Sequence, residues 1–113
     1  MEKLVNIKIK ALSVNECYRG RRFKTSKYKA YETELFYLLP KLKIPDGKLE
    51  VNYVFGFSSK GSDFDNYIKN FQDCLQNKYG FNDNRIYRAT VEKVDVKKGE
   101  EFISFNILEL CTG

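Results

Sequence analysis

The sequence predicts an α/β fold, a mixed four-stranded sheet with two helices in the order β-α-β-α-β-β, and three observations carry that reading. Apolar side chains alternate at period two near the N-terminus, in the middle and in the last third of the chain, as in strands with one buried face. Two segments between them space their apolar residues three and four apart, as helices do. A length of 113 residues, with 42% hydrophobic and 15% aromatic content, supports one core and not two, so residues 1–113 read as a single domain.

The first strand covers residues 4–11, where Val5, Ile7, Ile9 and Ala11 alternate with Asn6, Lys8 and Lys10. Thr25 or Ser26 can cap a helix whose apolar positions are Tyr28, Tyr31, Leu35, Leu38 and Leu39, and Pro40 ends it. A connector with Pro45 and the turn pair Asp46-Gly47 leads to Leu49, Val51, Tyr53, Phe55 and Phe57, the cleanest strand pattern in the chain. Residues 66–79 form a second helix with Tyr67, Ile68, Phe71, Cys74 and Leu75 on its apolar stripe, closed by Gly80. Residues 85–96 and 101–110 read as two strands joined as a hairpin through Lys97-Lys98-Gly99-Glu100. Ile103, Phe105 and Ile107 mark the buried face of the last strand.

Composition narrows the chemistry. Histidine is absent, which removes Ser-His and Cys-His mechanisms and leaves carboxylates, lysines and tyrosines. Cys17, Cys74 and Cys111 are odd in number and form no C-x-x-C pair, so a reducing, cytoplasmic setting is expected rather than a disulfide framework or zinc site. No apolar run approaches membrane-spanning length, and the N-terminus leads into a strand rather than a signal-peptide core. A net charge of +5 permits a polyanionic partner without demanding one.

Part of that charge is concentrated. Residues 17–31 hold six Lys or Arg and no Asp or Glu, with aromatic residues interleaved. Arg19, Arg21, Arg22, Lys24 and Lys27 suit phosphate contacts, with Tyr18 and its neighbours able to stack on bases. A solvated basic loop accounts for the same composition.

Asp63 and Asp65 stand one residue apart where the strand pattern gives way to the helix pattern. If the segment is still extended there, both side chains point the same way, and paired like charges are tolerated with a cation between them or with full hydration. Hard divalent ions take such oxygen ligands and activate water for phosphodiester hydrolysis without histidine. Lys69, four residues on, would pair with Asp65 or meet the scissile phosphate. On spacing alone a D-x-D helix cap is the better explanation of the pattern, and Asp83, in Asn82-Asp83-Asn84, has turn composition.

Taken together, three segments resemble the RusA-type Holliday junction resolvases. Asp63-Phe64-Asp65-Asn66-Tyr67-Ile68-Lys69 is similar to that family's D-x-D-N-x-x-K motif. Gly80-Phe81-Asn82-Asp83-Asn84-Arg85-Ile86 resembles its acidic stretch before a strand, and Ser13-Val14-Asn15-Glu16-Cys17-Tyr18-Arg19 its S-x-N-x-x-Y-R segment. The resemblance implies that Asp63, Asp65 and Asp83 are metal-binding catalytic carboxylates, with Lys69 an essential basic group and Asn15, Tyr18 and Arg19 among the DNA contacts. It also implies a Mg²⁺-dependent homodimer, with Mn²⁺ a possible substitute, that makes paired nicks in branched DNA during recombination and repair, often encoded by phages or prophages. Asn82 departs from the family's usual acidic residue, Leu12 from its proline and Cys17 from its aromatic residue. Three alternatives remain: a less selective branched-DNA nuclease, a non-catalytic basic DNA-binding module, and a basic interaction protein with no nucleic-acid partner.

Overall fold

In the computed structural model, residues 3–13, 16, 18, 19, 23–59 and 65–110 are described, Tyr18 and Arg19 by their backbone only. The strands are β1 (Val5–Ile7), β2 (Tyr18–Arg19), β3 (Phe23–Lys24), β4 (Leu49–Phe57), β5 (Ile86–Asp95) and β6 (Phe102–Glu109). The helices are α1 (Ser26–Leu38), between β3 and β4, and α2 (Asp65–Tyr79), between β4 and β5. The predicted β-α-β-α-β-β order is therefore observed, with the two-residue pair β2–β3 added ahead of α1.

The main sheet runs β1-β6-β4-β5, with β4 antiparallel to β6 and parallel to β5. This corrects the expected hairpin between the last two strands, because β4 lies between them. The five inward side chains of β4 are almost wholly buried, which makes it the central strand and sends the following link across its end. The Val96 N–H donates to the Phe57 carbonyl at 2.9 Å as the chain crosses, and Gly99 turns it with φ +94°.

Helix boundaries follow local chemistry. Thr25 caps α1, its hydroxyl accepting from the Tyr28 N–H at 3.1 Å. Leu39 is extended, as the residue before Pro40 must be, and α1 stops there. Gly80, at φ +71°, closes α2 by donating to the Gln76 carbonyl. Phe71 of α2 is the centre of the core, edge-on to Tyr53, Phe55 and Phe105 at centroid distances of 5.4, 5.9 and 5.6 Å. Hydrogen bonding of β1 stops at Ile7, yet Ile9 and Ala11 stay buried, so the alternation outlasts the ladder.

The opposite face of the sheet carries polar pairs beside Val54, Phe102 and Leu108. Asn52 pairs with Asn106 at 2.8 Å, Ser104 with Asn6 at 2.8 Å, and Arg88 with Glu50 at 3.4 Å. The core is thus one layer, between the helices and one side of the sheet.

Candidate active site

Asp65 is the first residue of α2 and is exposed, so it is already helical rather than part of the extended segment expected before the helix. A carboxylate there is favoured by the helix dipole. At 100° per residue, Asp65, Lys69, Gln72 and Gln76 fall within an arc of about 60°. The burial of Phe71, Cys74 and Leu75 against the sheet turns this polar stripe to the side of the core.

Lys69 is 73% exposed and reaches down the helix, its Nζ 3.6 Å from Asp73 Oδ1. Gln76 Nε2 donates to that same oxygen at 3.2 Å, and Gln76 Oε1 accepts the backbone N–H of Asp83 at 2.8 Å. One polar chain therefore links Lys69 to Asp83 through Asp73 and Gln76. Beside it, the Tyr53 hydroxyl donates to Gln72 Oε1 at 3.0 Å. Burial, then the negative charge of Asp83, pushes the Tyr53 phenol far above its usual range, so it stays protonated.

Asp83 opens a short 3₁₀ turn (Asp83–Arg85) capped by Asn82, whose side chain accepts from the Asn84 N–H at 2.9 Å. The Arg85 guanidinium pins that turn by donating to the carbonyls of Gly47, at 3.0 Å, and Pro45. Asn82 thus has a structural task that an amide performs through its carbonyl oxygen. Sequence reasoning missed Tyr53, Gln72, Asp73, Gln76 and Arg85. The signal was present for the helical three, which continue the stripe of Asp65 and Lys69 at positions i+7, i+8 and i+11.

The candidate carboxylates approach the stripe from its two ends. Asp65 starts it, and Asp83 is anchored to Gln76, about 16 Å further along the axis at 1.5 Å per residue. Asp63 lies outside the described residues. Among those described, no three His, Cys, Asp or Glu side chains are grouped closely enough to hold a metal ion. The available donors are all oxygens, which matches a hard divalent cation in chemical type.

The basic segment runs through β2 and β3 into α1. Strand β2 pairs with β3, and Phe23 at its end is 73% exposed. Lys24 Nζ lies 3.1 Å from Glu32 and sits over the Tyr28 ring, while Lys27 lies 3.3 Å from Glu16. Asn15, Arg21 and Arg22 fall outside the described residues, as do the side chains of Tyr18 and Arg19. Asn70, a buried polar residue of α2, donates to the Leu12 carbonyl at 2.7 Å and so ties the entry of this segment to the helix that carries Asp65 and Lys69.

Among the described residues no helix is long and apolar enough to cross a membrane. A family model described as endodeoxyribonuclease RusA matches residues 10–104, most of the chain. No individual curated protein matches.

Proposed function

The chain belongs to the endodeoxyribonuclease RusA family, and on that premise we propose that it is a metal-dependent nuclease that resolves four-way DNA junctions by paired phosphodiester hydrolysis. The observation that carries the reading is the family match over residues 10–104, which spans Asp65 at the start of α2 and the linked pair Lys69 and Asp83.

Asp63, Asp65 and Asp83 would hold the ion, Mg²⁺ with Mn²⁺ as substitute, and sharing one ion would require the two ends of the stripe, where Asp65 and Asp83 lie, to draw together. When bound, such an ion activates water and offsets charge on the phosphoryl oxygens. Lys69 exchanges Asp73 for the scissile phosphate and offsets the charge that develops there. Gln76 holds the backbone of Asp83 and thereby aims its carboxylate. Asn15, Tyr18, Arg19, Arg21, Arg22, Lys24 and Lys27 carry the DNA, the two lysines trading Glu32 and Glu16 for phosphates. Symmetric cuts in a junction require two sites related by a two-fold axis, which a homodimer supplies.

The test is incubation with a synthetic four-way junction and a matched linear duplex, with and without Mg²⁺, using the wild type, Asp65→Asn and Asp83→Asn. Paired nicks on the junction alone, only with metal, are expected. Both variants should bind it and cut more than about 100-fold more slowly, beyond the loss typical of residues outside a metal's own ligands. Cutting at the wild-type rate by both variants would remove the site assignment. Binding without cutting under any divalent ion would leave a DNA-binding module, and equal cutting of flaps and forks a broader branched-DNA nuclease.

A further inference from the structure

Large apolar side chains scattered singly over a surface need no explanation, but a concentration of them marks a contact. Among the described residues six are exposed, and four of these, Phe36, Tyr37, Leu38 and Leu42, fall within residues 36–42. That stretch is the C-terminal end of α1 and the connector beyond it. Tyr37 is 81% exposed and stands edge-on to Phe36, their ring centroids 5.9 Å apart. Lys78 of α2 reaches across to them, its Nζ 4.3 Å from the centre of the Phe36 ring and donating to the Phe36 carbonyl at 2.8 Å.

Two open grooves adjoin this contact. One, of about 380 Å³, runs between α1 and α2 and is bordered by Phe36 and Tyr37. Its lining includes one carboxylate, Glu32, which Lys24 engages. The other, of about 370 Å³, is lined by Lys41, Leu42, Lys43, Lys78 and Tyr79. Residues 36–45 contain no Asp or Glu. Among the described residues no carboxylate forms an ion pair with Lys41, Lys43 or Lys78. An aromatic groove therefore adjoins a positively charged one, with Phe36 and Lys78 at the junction between them.

We propose that this end of α1 is a docking surface for a short acidic segment of another protein, one that also carries an aromatic or aliphatic side chain. Its carboxylates meet Lys41, Lys43 and Lys78, and its apolar side chain enters the groove beside Phe36 and Tyr37. Buried rings supply the affinity of such contacts, and opposite charge steers the encounter and selects the partner. A DNA duplex would meet the lysines with its phosphates but would leave the apolar groove uncovered. The position is also separate from the basic segment, which enters α1 at its other end, about 20 Å away at 1.5 Å per residue. At 100° per residue, Lys78 stands on the opposite side of α2 from Gln76 and the polar stripe. The inference does not rest on the nuclease reading.

A library of random dodecapeptides displayed on phage, selected against the full chain, supplies the probe. Selected sequences should place two or more acidic residues around an aromatic residue or leucine. Fluorescein-labelled synthetic copies should bind with a Kd of about 1–100 μM, the strength of a transient contact. Lys41→Glu/Lys43→Glu and Tyr37→Ser should each weaken that binding by about tenfold or more, with circular dichroism and sedimentation unchanged. Four-way junction DNA should not displace the peptide. Failure to select any peptide, selection of neutral or basic ones, or binding that both variants leave intact overturns the proposal. Displacement by junction DNA would give the surface to nucleic acid, and altered sedimentation of Tyr37→Ser would give it to contact between copies of the chain; either result overturns the proposal as well.

Discussion

Gln76 is the residue whose position says most about the site, because it touches Asp73 with its amide nitrogen and Asp83 with its amide oxygen. Gln76→Ala should raise the divalent-ion concentration needed for half-maximal cleavage by about 10–100-fold, the loss typical of partners that orient metal ligands. Junction affinity measured without metal should be unchanged, a split that a general loss of folding would not produce. Tyr53 makes a second prediction at this scale. Burial and the charge of Asp83 both disfavour its phenolate, so its folded pKa lies above the unfolded value of 10.0. Such a group contributes stability that is complete below the unfolded pKa and is lost as pH rises through the folded one. In an alkaline spectrophotometric titration, at least one of the eight tyrosines should therefore stay un-ionised well past pH 10.0 until the chain unfolds. Ionisation of all eight near that pH, with the fold intact, would contradict the buried environment of this phenol.

Strand β4 and the chain returning to β6 meet at two contacts that constrain their sequence. A Cβ on Gly56 would overlap the Phe102 ring, which lies across the glycine from β6. Gly56→Ala should destabilise the protein by about 1–3 kcal/mol, the usual range for overpacking, as read from the urea midpoint. Phe102→Leu should relieve part of that cost. Where the link returns to β6, Glu101 accepts from the Ser58 hydroxyl at 2.6 Å and the Gly99 N–H at 2.9 Å. The Ser58 bond first, then the backbone bonds, hold its carboxyl below the usual 4.5. The stabilisation is present above the unfolded pKa and lost as pH falls through the folded one. A carbon-detected titration should find the Glu101 carboxyl depressed in the wild type and shifted upward in Ser58→Ala.

For the whole molecule, where charge is placed matters more to the partner than its total. The chain carries +5, yet Lys24 and Lys27 are engaged with Glu32 and Glu16. Exposed ion pairs of this kind are worth at most about 1 kcal/mol, so giving them up for phosphates would cost the protein little. Lys24→Ala/Lys27→Ala should flatten the slope of log K against log salt for junction binding by about 2, since each phosphate no longer neutralised removes about 0.9. An unaltered slope would take these two lysines out of the DNA path.

Much of the fold could be read from periodicity because β4 and α2 each obey a single period along their length. Leu49 to Phe57 alternates without a break, and Phe71, Cys74 and Leu75 mark one helical stripe. The caps at Thr25 and Gly80 were equally local matters of side-chain oxygen and positive φ. Strand neighbours are not local, and the adjacency of residues 85–96 and 101–110 suggested a hairpin that the placement of β4 between them rules out. The same limit applied to the site. Asp65, Lys69 and Asp83 stood out by residue type and spacing, whereas the Asp73 and Gln76 bridge between Lys69 and Asp83 exists only because the turn after α2 folds back onto its last turns. Elements, caps and candidate chemical groups were legible along the chain, since each depends on neighbours within a few residues. Strand order, the edge position of β5 and the partners of each charged group were not, since those depend on which surfaces the packed core leaves exposed.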